Sequence, residues 1–191
     1  MDVLGDEFAR IKDQHKERMK FVSARDALSP SVTRVFAPGT KEGVLPVLLG
    51  IDVDLIPGFD GQDNYRQWFE ENLERVAQRI GDLNSEKARP SIYPGYKWGH
   101  AAKILNVYVR NVVIYSRYFP DEVVERISHW LYCPIDSYII SRLNSIGCKP
   151  PCALIKDVDT AEKFCDTQAC LQRAAARCGV PAVWFDDNWG G

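Results

Sequence analysis

Lys103 is the residue whose type and setting most favour covalent chemistry in this sequence. It follows Gly99-His100-Ala101-Ala102 and precedes Ile104, so it is a lysine on an otherwise apolar segment with helical character. An amine held among apolar neighbours is a candidate nucleophile toward an electrophilic carbon. The residues alone leave a second interpretation open, in which Lys103 extends its charged end to solvent from the flank of a helix.

Asp136 is the second candidate, because it stands where a helix is expected to begin. It follows Cys133-Pro134-Ile135, and the apolar positions after it repeat with helical spacing until Gly147 can end the helix. A carboxylate there could stabilise positive charge or take part in proton transfer beside a lysine. Asp is also a common helix N-cap, so a purely structural role for Asp136 stays open.

The segment before Lys103 could contact an anion. Pro94-Gly95 and Gly99 predict a turn that opens onto a helix whose first turn carries small residues. The free amide groups of a helix N-terminus favour a phosphate, and His100 could contact a phosphate or a substrate. Lys97 is an alternative nucleophile, but we expect it to precede the helix and to be held less rigidly than Lys103.

The elements that must position these residues are helices. Apolar residues recur at three- and four-residue steps through most of the chain, and few stretches alternate as strands do. We therefore predict an all-α fold. The expected helices span residues 3–22, 65–80 (ended by Gly81), 100–118, 121–130 (capped by Asp121), 137–145 and 159–178; short helices and loops are expected over 29–60, turns over 84–97, and an extended or irregular tail from 180.

The composition is that of an ordinary globular protein. The 191 residues are 46% hydrophobic and 26% charged, which suits one domain over 1–191. We expect no membrane span and a cytoplasmic location. Because the net charge is -2, contact with nucleic acid would depend on local basic groups, which concentrate in residues 10–25 and 87–117.

The six cysteines all lie between Cys133 and Cys178, and we interpret them as reduced thiols. Cys148 and Cys152 could supply thiolates, as could Cys165, Cys170 and Cys178. Their spacing, however, fits neither a paired zinc motif nor an iron–sulfur loop. We therefore expect no metal and no cofactor, and we keep a thiol- or metal-dependent protein as an alternative hypothesis.

Two segments together resemble a known family. The run from Cys133 to Leu143 is similar to the part of helix-hairpin-helix DNA glycosylases in which a proline, an aliphatic residue and the catalytic aspartate precede a helix. The upstream Gly99 to Lys103 resembles the hairpin end that carries their Schiff-base lysine. A helix over 121–130 separates the two, as in the archaeal-type 8-oxoguanine branch. The resemblance covers about residues 92–146, and it implies that these residues are the catalytic core of a monomer. The helix and tail over 150–191 would close the base pocket.

The resemblance implies two small helical lobes around a cleft that binds DNA containing a modified base, such as 8-oxoguanine. It assigns nucleophilic attack on the sugar to Lys103 and charge stabilisation to Asp136, with strand cleavage through a Schiff base. A flipped base needs an aromatic pocket. Tyr96, Lys97, Trp98, Gly99 and His100 at the hairpin, and Trp184 and Phe185 in the tail, are the candidate substrate contacts; core packing is the alternative role of the aromatic ones.

Two alternative hypotheses about function stay open. The same lysine and aspartate would serve a glycosylase that removes modified bases from foreign DNA, such as phage DNA, as a defence factor. A protein of another class, a non-catalytic helical module that binds DNA or another protein, is also compatible with the acidic balance of charges. No obligatory protein partner is implied by any of the glycosylase readings.

Overall fold

The computed structural model describes residues 3–86 and 96–189, and over these ranges the chain consists of helices and short loops. No strand occurs in the described ranges, which confirms the all-α class. None of the helices described is both long and apolar enough to cross a membrane. The α-helices are α1 (Val3–Ala27), α2 (Pro30–Thr33), α3 (Thr40–Leu49), α4 (Gln62–Glu86), α5 (Tyr96–Arg110), α6 (Asp121–Ser128), α7 (Ser137–Ser145), α8 (Ala161–Cys178) and α9 (Phe185–Trp189).

Helix α5 is the central element. Its Ile104, Leu105 and Tyr108 are fully buried, and it packs against α1 and α4. Helix α4 adds an aromatic layer in which Phe69 stacks on Phe164 of α8, with ring centroids 5.6 Å apart. Each large apolar side chain buried in this way contributes roughly 1.5–3 kcal/mol. The packing therefore fixes the backbone of α5, which carries Lys103.

The first turns of α5 differ from the sequence prediction. The helix begins at Tyr96 rather than at His100, so Lys103 lies about two turns into it, and Lys97 belongs to the helix rather than preceding it. Gly99 lies inside this helix. Its missing side chain leaves room for the backbone of Ile155. After Arg110 the chain continues as a π-helical turn, Asn111–Tyr115.

Helix α1 is longer and less packed than predicted. It runs to Ala27, and Phe8 and Ile11, whose helical spacing is that of a packed face, are 69% and 51% exposed. Its fully buried apolar residues, Ala24 and Ala27, lie near its other end. At 1.5 Å per residue α1 is about 37 Å long and α5 about 22 Å, so α1 extends beyond its support. An amphipathic pattern cannot bury side chains where no surface lies opposite them.

Helix α4 continues past Gly81, where we expected it to end. It reaches Glu86 and buries Leu83 in its last turns. Asn84 accepts a hydrogen bond from the backbone N–H of Ala37 at 2.9 Å. A glycine within a helix costs about 1 kcal/mol relative to alanine. These tertiary contacts of the last turns outweigh that cost.

The later helix boundaries are better predicted. Helix α7 spans the predicted residues, and Gly147 after it has a φ of 81°, in the left-handed region that glycine adopts readily. Helix α8 is capped by Thr160, whose hydroxyl accepts a hydrogen bond from the N–H of Lys163 at 3.2 Å. In α6 the cap is Pro120, so Asp121 is the first helical residue instead of the predicted cap.

The C-terminal tail is helical, contrary to the predicted extended or irregular segment. A 3-10 turn, Ala182–Trp184, leads directly into α9. Pro181 precedes this turn, where its fixed φ is compatible with helix initiation. Phe185 is 6% exposed and stacks on Trp189 with ring centroids 4.2 Å apart. This tertiary burial stabilises a five-residue helix that would not form in isolation.

Gly99→Ala is expected to lower the free energy of unfolding by about 1–3 kcal/mol. A Cβ at this position would lie 2.2 Å from the backbone oxygen of Ile155, so the 3-10 turn Ile155–Asp157 would have to move. Gly81→Ala is the matched control, since a Cβ there meets no described atom within 4 Å and helix propensity should raise stability by about 0.5–1 kcal/mol. Urea unfolding measures both, and equal effects would contradict the tight contact.

Candidate active site

Lys103 and Asp136 meet in the folded chain, although 33 positions separate them. The Lys103 Nζ donates to Asp136 Oδ2 at 3.1 Å, and the two side chains are 21% and 20% exposed. Helix α5 supplies the amine and the start of α7 supplies the carboxylate. The structure thus confirms the predicted meeting of these two groups.

Asp136 is held by the backbone of α7. Its Oδ1 accepts hydrogen bonds from the N–H groups of Tyr138 and Ile139, at 2.9 and 3.0 Å, which confirms the predicted N-cap. The partial positive charge of the helix N-terminus adds a favourable potential for the carboxylate. Since Oδ1 makes the capping bonds, Oδ2 is the oxygen presented to Lys103. One carboxylate therefore fixes a helix and faces an amine.

A cleft of about 330 Å³ opens over this pair. That volume lies near the lower limit of roughly 300–1,000 Å³ typical of small-molecule sites. Hydroxyl groups, an imidazole and a guanidinium are among the polar groups that line the cleft. The lining residues are Ser31, Val32, Arg34, Val35, His100, Lys103, Asp136, Ser137, Tyr138 and Ile155.

His100 and Gly99 lie beside the cleft in different roles. His100 lines it, is 6% exposed, and meets the ring of Phe36 edge-on with centroids 5.6 Å apart. Gly99 allows the close approach of Ile155, which forms part of the cleft wall. Trp98 is half-buried and packs against the hydrophobic core. The predictions on the Tyr96 and Lys97 side chains, and on the Pro94-Gly95 turn, fall outside the described residues.

The predicted aromatic residues of the tail lie elsewhere. Trp184 is 44% exposed and lines a different cavity, of about 540 Å³. Residues of α6, His129 directly after it, and residues of the 179–181 loop also line that cavity. Phe185 is buried in α9, which packs against α7. The structure therefore brings Lys103, Asp136 and His100 to one cleft, and it places Trp184 on another.

Arg110 connects the tail to the end of α5. Its guanidinium pairs with Asp186 and lies 3.7 Å from a carboxylate oxygen of Asp187. The hydroxyl of Tyr115 donates to Asp187 as well. Burial, followed by this hydrogen bond, raises the pKa of Tyr115 to about 12, so the phenol keeps its proton at neutral pH. These contacts hold α9 against the π-helical turn.

Cys133 is the cysteine closest in sequence to Asp136, and its setting argues against catalysis by the thiol. The residue is fully buried. Burial, with a smaller contribution from the Asp136 carboxylate, raises the pKa of the Cys133 thiol. The thiolate is the reactive form of cysteine, so Cys133 is a poor competitor of Lys103.

Sequence reasoning missed several residues that line the cleft. Ser31 and Arg34 come from the α1–α2 region, which carries no motif that would associate it with Lys103. Ser137 and Tyr138 could have been found, because they follow a capping aspartate directly. Tyr138 is 62% exposed and lies at the cleft.

Comparisons with known proteins gave no match, whether with family models, curated proteins or solved structures. Within the described ranges, no group of three or more His, Cys, Asp or Glu side chains is arranged to hold a metal ion. The case for function therefore depends on the contacts at the cleft and on the family resemblance of residues 92–146.

Proposed function

We propose that this protein is a DNA glycosylase with abasic-site lyase activity, which removes a modified base through Lys103 and Asp136. The observation that carries the proposal is the 3.1 Å contact between the Lys103 amine and the Asp136 carboxylate inside a cleft. An amine beside a carboxylate that is itself oriented by a third group is the arrangement expected of an activated nucleophile. The backbone of α7 supplies the third group.

The first chemical step replaces one bond at the sugar by another. Lys103, once its ammonium has lost a proton, forms a bond from Nζ to C1′ as the bond from C1′ to the base nitrogen breaks. The base leaves with the electron pair and takes up a proton. Positive charge develops on the sugar during this exchange, and the Asp136 Oδ2 is the described carboxylate oxygen next to the amine that could stabilise it.

The second stage cleaves the strand. Loss of a proton from Nζ and opening of the C1′–O4′ bond give a Schiff base between Lys103 and the sugar. Removal of a C2′ proton then expels the 3′ phosphate as its C3′–O bond breaks, and water later hydrolyses the Schiff base to release Lys103. Solvent accepts the protons lost from Nζ and C2′, and the sequence of steps is neutral in oxidation state, so it needs no oxidant or reductant.

DNA binding in this proposal depends on local cations. Arg34 lines the cleft and is exposed, and Lys156 is exposed in the turn next to Ile155. Both could contact phosphates on either side of a flipped nucleotide. Because the chain has a formal net charge of -2, we expect it to make few phosphate contacts. DNA binding through those contacts should weaken as the salt concentration rises.

Borohydride trapping tests the proposal. The reagent reduces a Schiff base to a stable amine, so incubation of the wild-type protein with an 8-oxoguanine duplex should give a covalent complex on a denaturing gel. DNA from phages with modified bases is tested in the same way, because a defence glycosylase would act on it. An unmodified duplex is the negative control. A protein that binds these DNAs without adduct, base release or strand cleavage would be the non-catalytic module instead.

A further inference from the structure

The chain that leads to Asp136 is buried without regular structure. Leu131, Tyr132, Cys133 and Ile135 are at most 5% exposed, and no helix or strand covers residues 131–136. The N–H and C=O groups of such a segment need partners, because an unpaired polar group in the interior is costly. Some side chain must supply those partners.

Gln168 supplies them from α8. Its Oε1 accepts a hydrogen bond from the N–H of Cys133 at 3.1 Å, and its Nε2 donates to the carbonyl oxygen of the same residue at 2.7 Å. The Gln168 side chain is 1% exposed, so both bonds form away from water. One amide thereby satisfies both backbone groups of Cys133, in the way that a neighbouring strand would.

A second amide connects this point to the lysine helix. Asn106, three residues after Lys103 on α5, directs its Nδ2 to the same Cys133 carbonyl at 3.5 Å. That distance is at the outer limit of a hydrogen bond, so the short contact from Gln168 dominates. Cys133 is thus the place where α5, α8 and the approach to Asp136 meet.

We infer that Gln168 is a positioning residue, which sets the distance between the Lys103 amine and the Asp136 carboxylate by fixing Cys133. Two residues separate Cys133 from Asp136, and both are restrained: Pro134 has a restricted φ and Ile135 is buried. A displacement at Cys133 is therefore passed on to Asp136. As a role in catalysis, this inference rests on the proposed function.

Gln168→Glu tests the inference with little change of shape. At about pH 7.5 the carboxylate can still accept from the Cys133 N–H, but it cannot donate to the carbonyl, and its charge repels that oxygen. We expect borohydride trapping to fall about tenfold to hundredfold relative to wild type, since small displacements of reacting groups have effects of that order. Because burial raises the pKa of a carboxyl group, we expect the side chain introduced at this buried position to take up a proton as the pH falls to about 5.5; it then regains the donor, and the deficit should shrink.

Thr167→Val is the matched control on α8. Thr167 is also buried, but its hydroxyl donates to Lys163 within its own helix rather than to residues 131–136. This variant should follow the wild-type pH profile. Gln168→Leu removes both hydrogen bonds and should lose trapping at either pH; if it does not fold, Gln168→Glu still decides the question. A Gln168→Glu protein with the wild-type profile would overturn the inference.

A readout without DNA separates this inference from the proposed function. Acetic anhydride labels neutral lysine amines, and mass spectrometry compares Lys103 with Lys16, whose own partner is Asp54 at 3.2 Å. Displacement of Asp136 in Gln168→Glu should raise relative labelling of Lys103 by about twofold or more, because the amine then loses its hydrogen bond to Asp136 Oδ2 and is more accessible to the reagent. Unchanged labelling would contradict positioning. Altered labelling in a protein that traps no DNA would refute the glycosylase while the positioning role stands.

Discussion

Lys103→Arg and Lys103→Gln are each expected to abolish Schiff-base trapping and to lower base release by about 10⁴-fold, the order seen when a catalytic nucleophile is removed. Arginine can keep a charge opposite Asp136 but stays protonated, so it cannot attack carbon. Glutamine removes the charge as well. Single-turnover assays on a modified duplex measure the loss, and gel-shift titration should show that DNA binding is largely retained.

The matched control is Lys163→Gln. Lys163 also pairs with an aspartate, Asp159, at 2.7 Å, but this pair is exposed on the surface. Its loss should leave trapping unchanged and should scarcely alter the urea unfolding midpoint, because an exposed ion pair contributes little to stability. Trapping that survives in both Lys103 variants, or that is lost equally in Lys163→Gln, would contradict the assignment of Lys103.

Asp136→Asn is expected to lower base release by about a thousandfold while it leaves the fold nearly unchanged. Asparagine is as good an N-cap as aspartate, so the bonds to the N–H groups of Tyr138 and Ile139 should persist. What disappears is the negative charge next to Lys103. Single-turnover base release measures the first effect, and thermal unfolding measures the second.

Asp136→Ala separates the two roles of the carboxylate. It should lose a similar amount of activity, and it should also lower the free energy of unfolding by about 1 kcal/mol because α7 loses its cap. Were Asp136→Asn to retain full activity with Asp136→Ala inactive, the carboxylate would be a cap alone. Asp136 would then have no place in the chemistry.

The start and end of α7 could be predicted because the signals are local. Asp136 caps the helix through its own backbone neighbours, and Gly147 ends it in a backbone conformation that glycine prefers. The same holds for Thr160 at the start of α8. Such signals act within a few residues and survive any tertiary arrangement.

Elements that depend on distant contacts were predicted less well. Phe8 and Ile11 have the spacing of a packed face, yet nothing in the sequence tells that α1 extends beyond the core. Gly81 looks like a helix end, but burial of Leu83 carries α4 past it. In the tail, α9 forms because Phe185 is buried and Arg110 pairs with Asp186, contacts that no local pattern reveals.

Some residues of the candidate site could be predicted from the sequence, and others could not. The meeting of Lys103 and Asp136 was predicted through the family resemblance, since spacing alone cannot bring together residues 33 positions apart. Arg34 and Gln168 come from segments without a motif, and their place beside the cleft or behind it follows only from the fold. A buried glutamine that bonds to backbone has no signature distinct from a surface one.

Mapping the reduced adduct is the most direct test of the proposal that Lys103 is the nucleophile. The wild-type protein would be trapped on a modified duplex with borohydride and digested with nuclease and protease, and the peptide carrying the sugar remnant would be sequenced by mass spectrometry. We expect the remnant on the Lys103 Nζ, and a lower yield in Asp136→Asn. A remnant on Lys97, or no adduct on any DNA of the panel, would contradict the proposed active site.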